Sequence, residues 1–489
     1  MFSQQFIESL TGGAGTSASG QISFGDLAEL KKALEMGYGT DVAQLTGGGA
    51  FRTQSLDATM KSTIQDNQHF TLFNRLQKTN ATATVDEWTE QSSVGGFRGG
   101  STNTETGIIN KAQGDYARRV GMVKYLMTRR EVSFVATLGK NIADAEAVEQ
   151  SNGALQLLTD AEHLCFLGDE LVVPTEFSGV AAQLAQGVAE GKISPDHVFD
   201  AEAKPLDNIR PINHASALIA GAGNFGTPTD LFLSFLAQSD LDSSLDPAFR
   251  VSLDNSPNSI MLGTPVRGIR TSFGDIATRP DVFIPDEGQQ MPFEVLYPAV
   301  AADNIMMKPQ AVDVDASASA ADSQFSSGRD GMYYYYVCGV SAKGESLGLV
   351  SSQVAIGAGK KAVLTITASA AGGETGYAIY RSRLNGTNRA DDVRLMCRIP
   401  RTGNSTTYVD VNRDIPGTSK AFILNMKPGQ EAITWRQFLP MSKFQLYPTN
   451  AAVLPWAQML FGYLRLAKLR QHVMIKNILP NGAEWRPFN

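Results

Sequence analysis

The sequence predicts an α+β chain that is interrupted, late in its length, by an all-β module. Three observations carry this. Residues 132–168 contain no proline, are rich in Ala, Leu, Glu and Gln, and repeat apolar residues at helical spacing. Two β-prone runs, 81–91 and 115–127, flank a polar, glycine-rich segment. From Pro309 to about Asn425 the composition turns to Tyr, Val, Thr and Ile, with turn residues every ~8–12 positions.

The totals bound the rest. The chain has 489 residues, 43% hydrophobic and 19% charged, which suits a globular protein of two or three domains. A net charge of −7 gives no basic excess for gripping nucleic acid, although a chain that encloses DNA without gripping it fits this balance. Cys165, Cys338 and Cys397 are far apart, so they suggest neither a disulfide framework nor a zinc site, and a reducing compartment is expected. No apolar run approaches the ~18–20 residues that span a bilayer. The opening MFSQQFIESL lacks the order of a signal peptide, so the reading is a protein of cytosolic origin, uncleaved at Met1.

Taken in order, residues 1–80 read as an N-terminal arm. It holds a short helix at 1–10, a Gly/Ser/Thr-rich link at 11–20, an amphipathic helix at 26–36, a Gly-rich stretch at 37–49 and a mostly helical run at 56–76 capped by Ser55. The link is expected to need neighbouring subunits for order. Residues 81–127 read as a long hairpin with a tip at 93–107. A lone hairpin is marginal in water, so this one needs a partner surface. The helix at 132–168 would run roughly 55 Å at about 1.5 Å per residue. Its apolar sets are Val135, Leu138, Ile142, Ala145 and Val148, then Leu155, Leu158, Ala161 and Cys165. Ser151-Asn152-Gly153 separates the sets, and a helix of this length is expected either to be a girder or to kink at Gly153.

Residues 128–308 hold this helix and an α/β region with further helices at 180–188, 213–222 and 229–238 and short strands over 261–283. Residues 309–424 form the inserted sandwich, with strands at 333–340, 362–368, 377–381, 393–399 and 406–411. Residues 425–489 return to the interrupted domain through a strand at 433–446, an apolar strand–helix–strand passage at 452–469 and a last strand at 475–479.

Little here points to chemistry. Residues 221–226 match G-x-G-x-x-G, and Asp246 lies at about the distance of a ribose partner, but Pro228 and a fresh helix cap at Thr229 or Asp230 favour a turn. There is no phosphate-cradling G-x-x-x-x-G-K motif. His69, His163, His197, His214 and His472 are scattered, with no i, i+4 metal pair. His163 reads as a half-exposed helix residue, Cys165 as core, and Asp313 and Asp315 as a solvated strand face rather than a metal site. No acid, base and pocket assemble, so no catalytic, cofactor or metal residue is assigned. At the hairpin tip, Phe97 and Arg98 between glycines suit an anchor into a neighbour. With Trp88 and Tyr116 on the strands, they are the candidate inter-subunit contacts.

The order of parts resembles the major capsid proteins of tailed bacteriophages, with their Hong Kong 97-type fold. The likeness is carried by YLMTRREVS at 125–133, EHLCFLG at 162–168 followed by Asp169, Glu176-Phe177-Ser178-Gly179, Thr229-Asp230-Leu231-Phe232 and Leu439-Pro440-Met441. It covers roughly residues 26–309 and 422–489. It implies that the hairpin is an extended E-loop, that the long helix is the spine of a peripheral (P) domain, and that an axial (A) domain points to the capsomer centre. The insertion resembles fibronectin type III or immunoglobulin-like domains in permuted order. Tyr333, Tyr335, Val337 and Gly344-Glu345-Ser346 match that pattern's late strands, whereas 362–367, 377–381 and Tyr408-Val409-Asp410 match its early ones. In capsid proteins such insertions decorate the outer surface.

The implied function is structural: hexamers and pentamers of this chain close into an icosahedral shell around packaged DNA. The implied setting is the virion capsid, assembled in the host cytoplasm, with portal, scaffolding and decoration or cement proteins as partners and no membrane. No enzyme activity is implied. The alternative is an encapsulin-like compartment, which the insertion and long arm disfavour. A dinucleotide-binding enzyme through 221–226 and a helical tail tube or sheath protein are the remaining readings.

Overall fold

The computed structural model describes residues 70–97, 99–138, 144–221, 223–244, 266–288, 307–448 and 451–488. The described elements lie in the unit formed by Ser62–Gly139 and Ala145–Asn489. The expected helices at 1–10 and 26–36 lie outside the described residues. Residues 70–76, expected to be helical, form a turn instead, because Leu72, Phe73 and Leu76 are each buried against the body.

The chain continues through β1 (Gln77–Asn80), β2 (Val85–Ser93), β3 (Asp115–Met122) and β4 (Lys124–Ser133). The helices α1 (Phe134–Leu138), α2 (Ala145–Leu167) and α3 (Val180–Ala189) follow, then β5 (Val198–Lys204), α4 (Arg210–Ala220), β6 (Asp230–Leu233), α5 (Phe235–Ser243), β7 (Gly268–Thr271) and β8 (Gly274–Pro280). The stretch read from sequence as an insertion begins at β9 (Ala311–Asp315) and holds β10 (Gly331–Tyr333), β11 (Tyr335–Ser341), β12 (Gly344–Glu345), β13 (Leu349–Val350), β14 (Val354–Ile356), β15 (Ala362–Thr367), β16 (Gly376–Ser382), β17 (Val393–Pro400) and β18 (Ser405–Asp410). The closing strands are β19 (Ser419–Leu424), β20 (Ile433–Gln445), β21 (Val453–Leu466) and β22 (Val473–Ile478).

The order β1-β20-β21-β4 makes a four-stranded sheet, and α2 lies on one face of it. Alternate residues of β4 turn to the helix: Arg130 reaches Glu149 at 3.2 Å and Gln156 at 2.7 Å, and Thr128 reaches Gln156 at 3.1 Å. The helix does not break at Ser151-Asn152-Gly153: α2 runs through all three residues. Gly153 serves close approach. The Gln458 side chain of β21 donates to the Gln150 carbonyl at 2.8 Å, and a Cβ on residue 153 would sit 1.9 Å from Gln458 Oε1. The buried stripe is Gly153, Leu157, Ala161, Leu164 and Cys165. It differs from the sets read from sequence: Val135 and Leu138 are exposed on α1, and Val132 and Ser133 end β4.

The core beneath this layer centres on Trp435, with Phe73 and Phe177 edge-on to its ring at 5.1 and 5.2 Å. Residues 452–469 contain no α-helix: β21 is one 14-residue strand, buried on both faces over Gly462–Leu466, which erases the two-residue period.

A second sheet has the order β5-β22-β19-β6-β8-β7, with β22–β5 and β6–β8 parallel. Residues 229–238, expected to be a helix, split into the buried strand β6 and α5, whose Ser234 cap accepts from the Ala237 amide at 3.4 Å. Ile212 and Ile219 of α4 and Leu241 of α5 pack on this sheet with Leu231, Ile423 and Ile475. Residues 419–424, grouped with the insertion by composition, pair here as β19.

In the insertion, the sheet β18-β15-β9 and the sheet β12-β11-β16-β17 contribute to one shared core that includes Val312, Tyr335, Val337, Leu364, Ile366 and Ile379. Inside it, buried Arg381 donates to Asp410 and Asn412 at 2.6 Å each, and Tyr335 donates to Asp410 at 2.8 Å. Removing one partner of such a pair strands a buried charge. Asp410→Ala is therefore expected to cost about 3–5 kcal/mol, read from the denaturant midpoint. The outward residues Tyr336, Cys338, Tyr380 and Val393 cluster with Val172 and Val173, which follow α2.

Candidate interaction surface

The β2–β3 hairpin pairs Val85 with Met122, Glu87 with Val120, Trp88 with Arg119 and Gln91 with Tyr116. Directly opposed residues share a face, and the face alternates along each strand. The inner face is therefore Asp86, Trp88 and Glu90 with Gly121, Arg119 and Ala117. The outer face carries Val85, Val120, Met122 and Tyr116, all exposed, and Tyr116 is 61% exposed. Around them lie Glu87 and Arg118, an exposed pair 3.3 Å apart that contributes little to stability.

The inner face meets the body at its root. The Asp86 carboxylate accepts from Arg436 Nε and Nη2 at 2.7 and 2.9 Å and from the Tyr463 hydroxyl at 2.6 Å. Burial opposes the Asp86 charge, but the Arg436 and Tyr463 hydrogen bonds outweigh it and hold the carboxyl below its usual range. Between hairpin and body lies a cleft of about 390 Å³, lined by Trp88, Arg119, Phe177, Gln183, Lys192 and Tyr463 among others.

The four residues singled out from sequence thus divide. Phe97 is 72% exposed at the tip and Tyr116 stands on the outer face, whereas Arg98 lies outside the described residues. Trp88 points inward: it packs against the central core with the Arg465 guanidinium 5.7 Å from its ring, so it serves the subunit's own packing. Exposed apolar residues outside those four include Val85, Val120 and Met122, and at the tip Ile108 and Ile109, of which Ile108 is 92% exposed. Their signal was present in the two-residue alternation of Tyr116 with Val120 and Met122, and in an Ile-Ile pair inside a polar segment. A second exposed apolar face lies across the four-stranded sheet from α2: Tyr125 stacks edge-on with Phe461 at 4.9 Å, and Met127 is 62% exposed.

Residues 221–226 join α4 to β6, helix before and strand after, which reverses the order a dinucleotide fingerprint requires. Among the described residues no group of three or more His, Cys, Asp or Glu is placed to hold a metal, and no helix is long and apolar enough to cross a membrane. His163 and His472 are held neutral, each pushed down to about 4 chiefly by burial.

No protein-family model matches the chain. A protein of Enterococcus phage phiEF24C is 24% identical over 469 residues, covering 92% of this chain and 94% of its own. The major capsid proteins of Staphylococcus phages S25-3 and K are each 24% identical over 465 residues, covering 92% of this chain and 95% of theirs. Among solved structures, the capsid of a native GTA particle matches at a TM-score of 0.46 with 8% identity, over 90% of this chain and 99% of that one.

Proposed function

We infer that this chain is a bacteriophage major capsid protein, a subunit of the icosahedral shell of the virion. One observation carries the reading. Relatives named as major capsid proteins align with 92% of this chain and 95% of their own length, so the likeness does not rest on one shared module. The relatives are structural proteins, and we propose no catalytic activity, cofactor or metal for this chain.

The finer reading follows the elements. The β2–β3 hairpin acts as the E-loop, α2 with its four-stranded sheet as the spine and body of the peripheral domain, and the six-stranded sheet as the axial domain of a Hong Kong 97-type fold. The insertion acts as an immunoglobulin-like or fibronectin type III-like module. The exposed apolar residues of the hairpin, Tyr116, Val120, Met122, Phe97 and Ile108, support assembly through this arm, because such a surface calls for a cover. The cover is a second copy, in hexamers and pentamers. Modest contacts become cooperative when each subunit makes several at once. Portal, scaffolding and decoration proteins complete the particle, and the net charge of −7 suits a shell that encloses DNA without binding its sequence.

Negative-stain microscopy of the purified protein tests the reading. Closed shells are expected, and dispersed monomers at high concentration would overturn it. Deleting residues 95–100 is expected to leave a folded subunit by circular dichroism but to impair shell formation. Shells of normal yield from that deletion would show the tip to be dispensable.

A further inference from the structure

The hairpin is attached to the body at two levels. The lower is the Asp86 cluster. Arg436 also donates to Thr79 at 3.1 Å, and Arg465 lies 4.0 Å from Asp86. Gly121 sits flat on the Tyr463 ring, where a Cβ would lie 2.3 Å from the nearest ring carbon. The root therefore cannot rock without breaking a bidentate pair and a close backbone contact. The upper level is one repeat further out. Arg119 pairs with Glu90 across the hairpin at 2.6 Å and with Glu190, at the end of α3, at 3.9 Å, and Glu190 in turn pairs with Lys192.

Beyond this level the pattern changes. The β2–β3 register shifts between Gln91 and Ser93, a bulge of the kind that loosens and re-aims a strand. Within the tip the hydrogen bonds turn inward: Thr102 to Gly99 at 2.6 Å, Asn103 to Ile108 at 2.9 Å and Asn110 to Gly100 at 3.2 Å. Val94, Phe97, Ile108 and Ile109 stand in solvent.

We propose that the hairpin is a two-part arm. Asp86 and Arg119 are positioning residues that pin its lower half to the body and set the direction in which it leaves the subunit, and the tip beyond the Gln91–Ser93 bulge is the part these contacts leave to meet a neighbouring copy. The neighbouring copy rests on the capsid reading; the pinning does not. An arm aimed before docking spends less ordering entropy on assembly.

Hydrogen–deuterium exchange on the full-length subunit tests this. Amides of residues 85–90 and 117–122 are expected to exchange more slowly than those of 94–112, and equal rates would overturn the proposal. Asp86→Asn is expected to cut protection of the lower half several-fold while peptides from β19 and β22 keep theirs. Arg119→Met, a milder change at a partly exposed residue, tests the upper level if the first variant does not fold. Unchanged protection in Arg119→Met would overturn the upper anchor. Microscopy of the same variants is expected to show shells of irregular size, and uniform shells would overturn the aiming role. If the wild-type chain builds no shells, the capsid reading fails, and the exchange data still decide whether the arm is pinned.

Discussion

Val120→Lys is expected to abolish shell formation and leave the subunit folded. Val120 is half exposed on the outer face of the hairpin, so losing its side chain opens no cavity. The register places Glu87 directly opposite, which gives the new ammonium a partner in the free subunit, whereas a carboxylate there would face a like charge. The change in subunit stability should stay within about 0.5 kcal/mol. Assembly is different. Proposed docking buries this face with Val85, Met122 and Tyr116, and an ion removed from water without full pairing costs several kcal/mol. Every copy in the shell would carry that cost. Thermal melting should be unchanged, while sedimentation should show free subunits or small oligomers in place of shells. Shells at the wild-type yield would mean that the outer face stays in solvent.

The hairpin was legible because its cues are local: a glycine-rich polar tip between two β-prone runs. Its limits were not. The return strand read as 115–127 is two strands, divided at Val123 where the chain leaves the hairpin for the four-stranded sheet. Exposed apolar residues run on from Tyr116, Val120 and Met122 to Tyr125 and Met127, and the division is marked only by a change of phase across buried Val123 and Lys124. Gly153 reads as a helix breaker from one strand of sequence, since its reason, the Gln458 side chain, comes from far along the chain. The long strand β21 reads as partly helical because burial on both faces removes its period. Trp88 illustrates the same dependence at the candidate surface. Whether it faces in or out is decided by Arg436, Tyr463 and Arg465 on the closing strands, which anchor Asp86 beside it. Pairing across the fold, rather than local propensity, sets each of these outcomes.

Such pairing also hides a buried polar feature of the core, and Glu162→Gln tests it. Glu162, on α2, is fully buried and accepts the amides of Leu72 and Phe73 at 2.6 and 2.7 Å, in the turn before β1. Asp281, also buried, stands beside it, accepting from the Phe283 amide at 2.8 Å and from the Thr71 hydroxyl. Burial first, and the Asp281 charge second, push the Glu162 carboxyl up to about 8 from its ordinary 4.5. The sign follows from which state holds the proton. Between pH 4.5 and 8 the unfolded chain gives up this proton and the folded chain keeps it, so stability falls as pH rises through that window. The fall should be on the order of a few kcal/mol. Glutamine does not titrate, and its amide can donate to Asp281. It has one acceptor oxygen for two backbone amides, and the amide left unpaired costs about 1–3 kcal/mol. The variant is therefore expected to be less stable than wild type near pH 5, to lose less stability as pH rises, and to match or exceed wild type near pH 9. Denaturant midpoints measured across that range decide it: converging or crossing profiles support a proton held between Glu162 and Asp281, and parallel profiles would show that the pair is charged throughout.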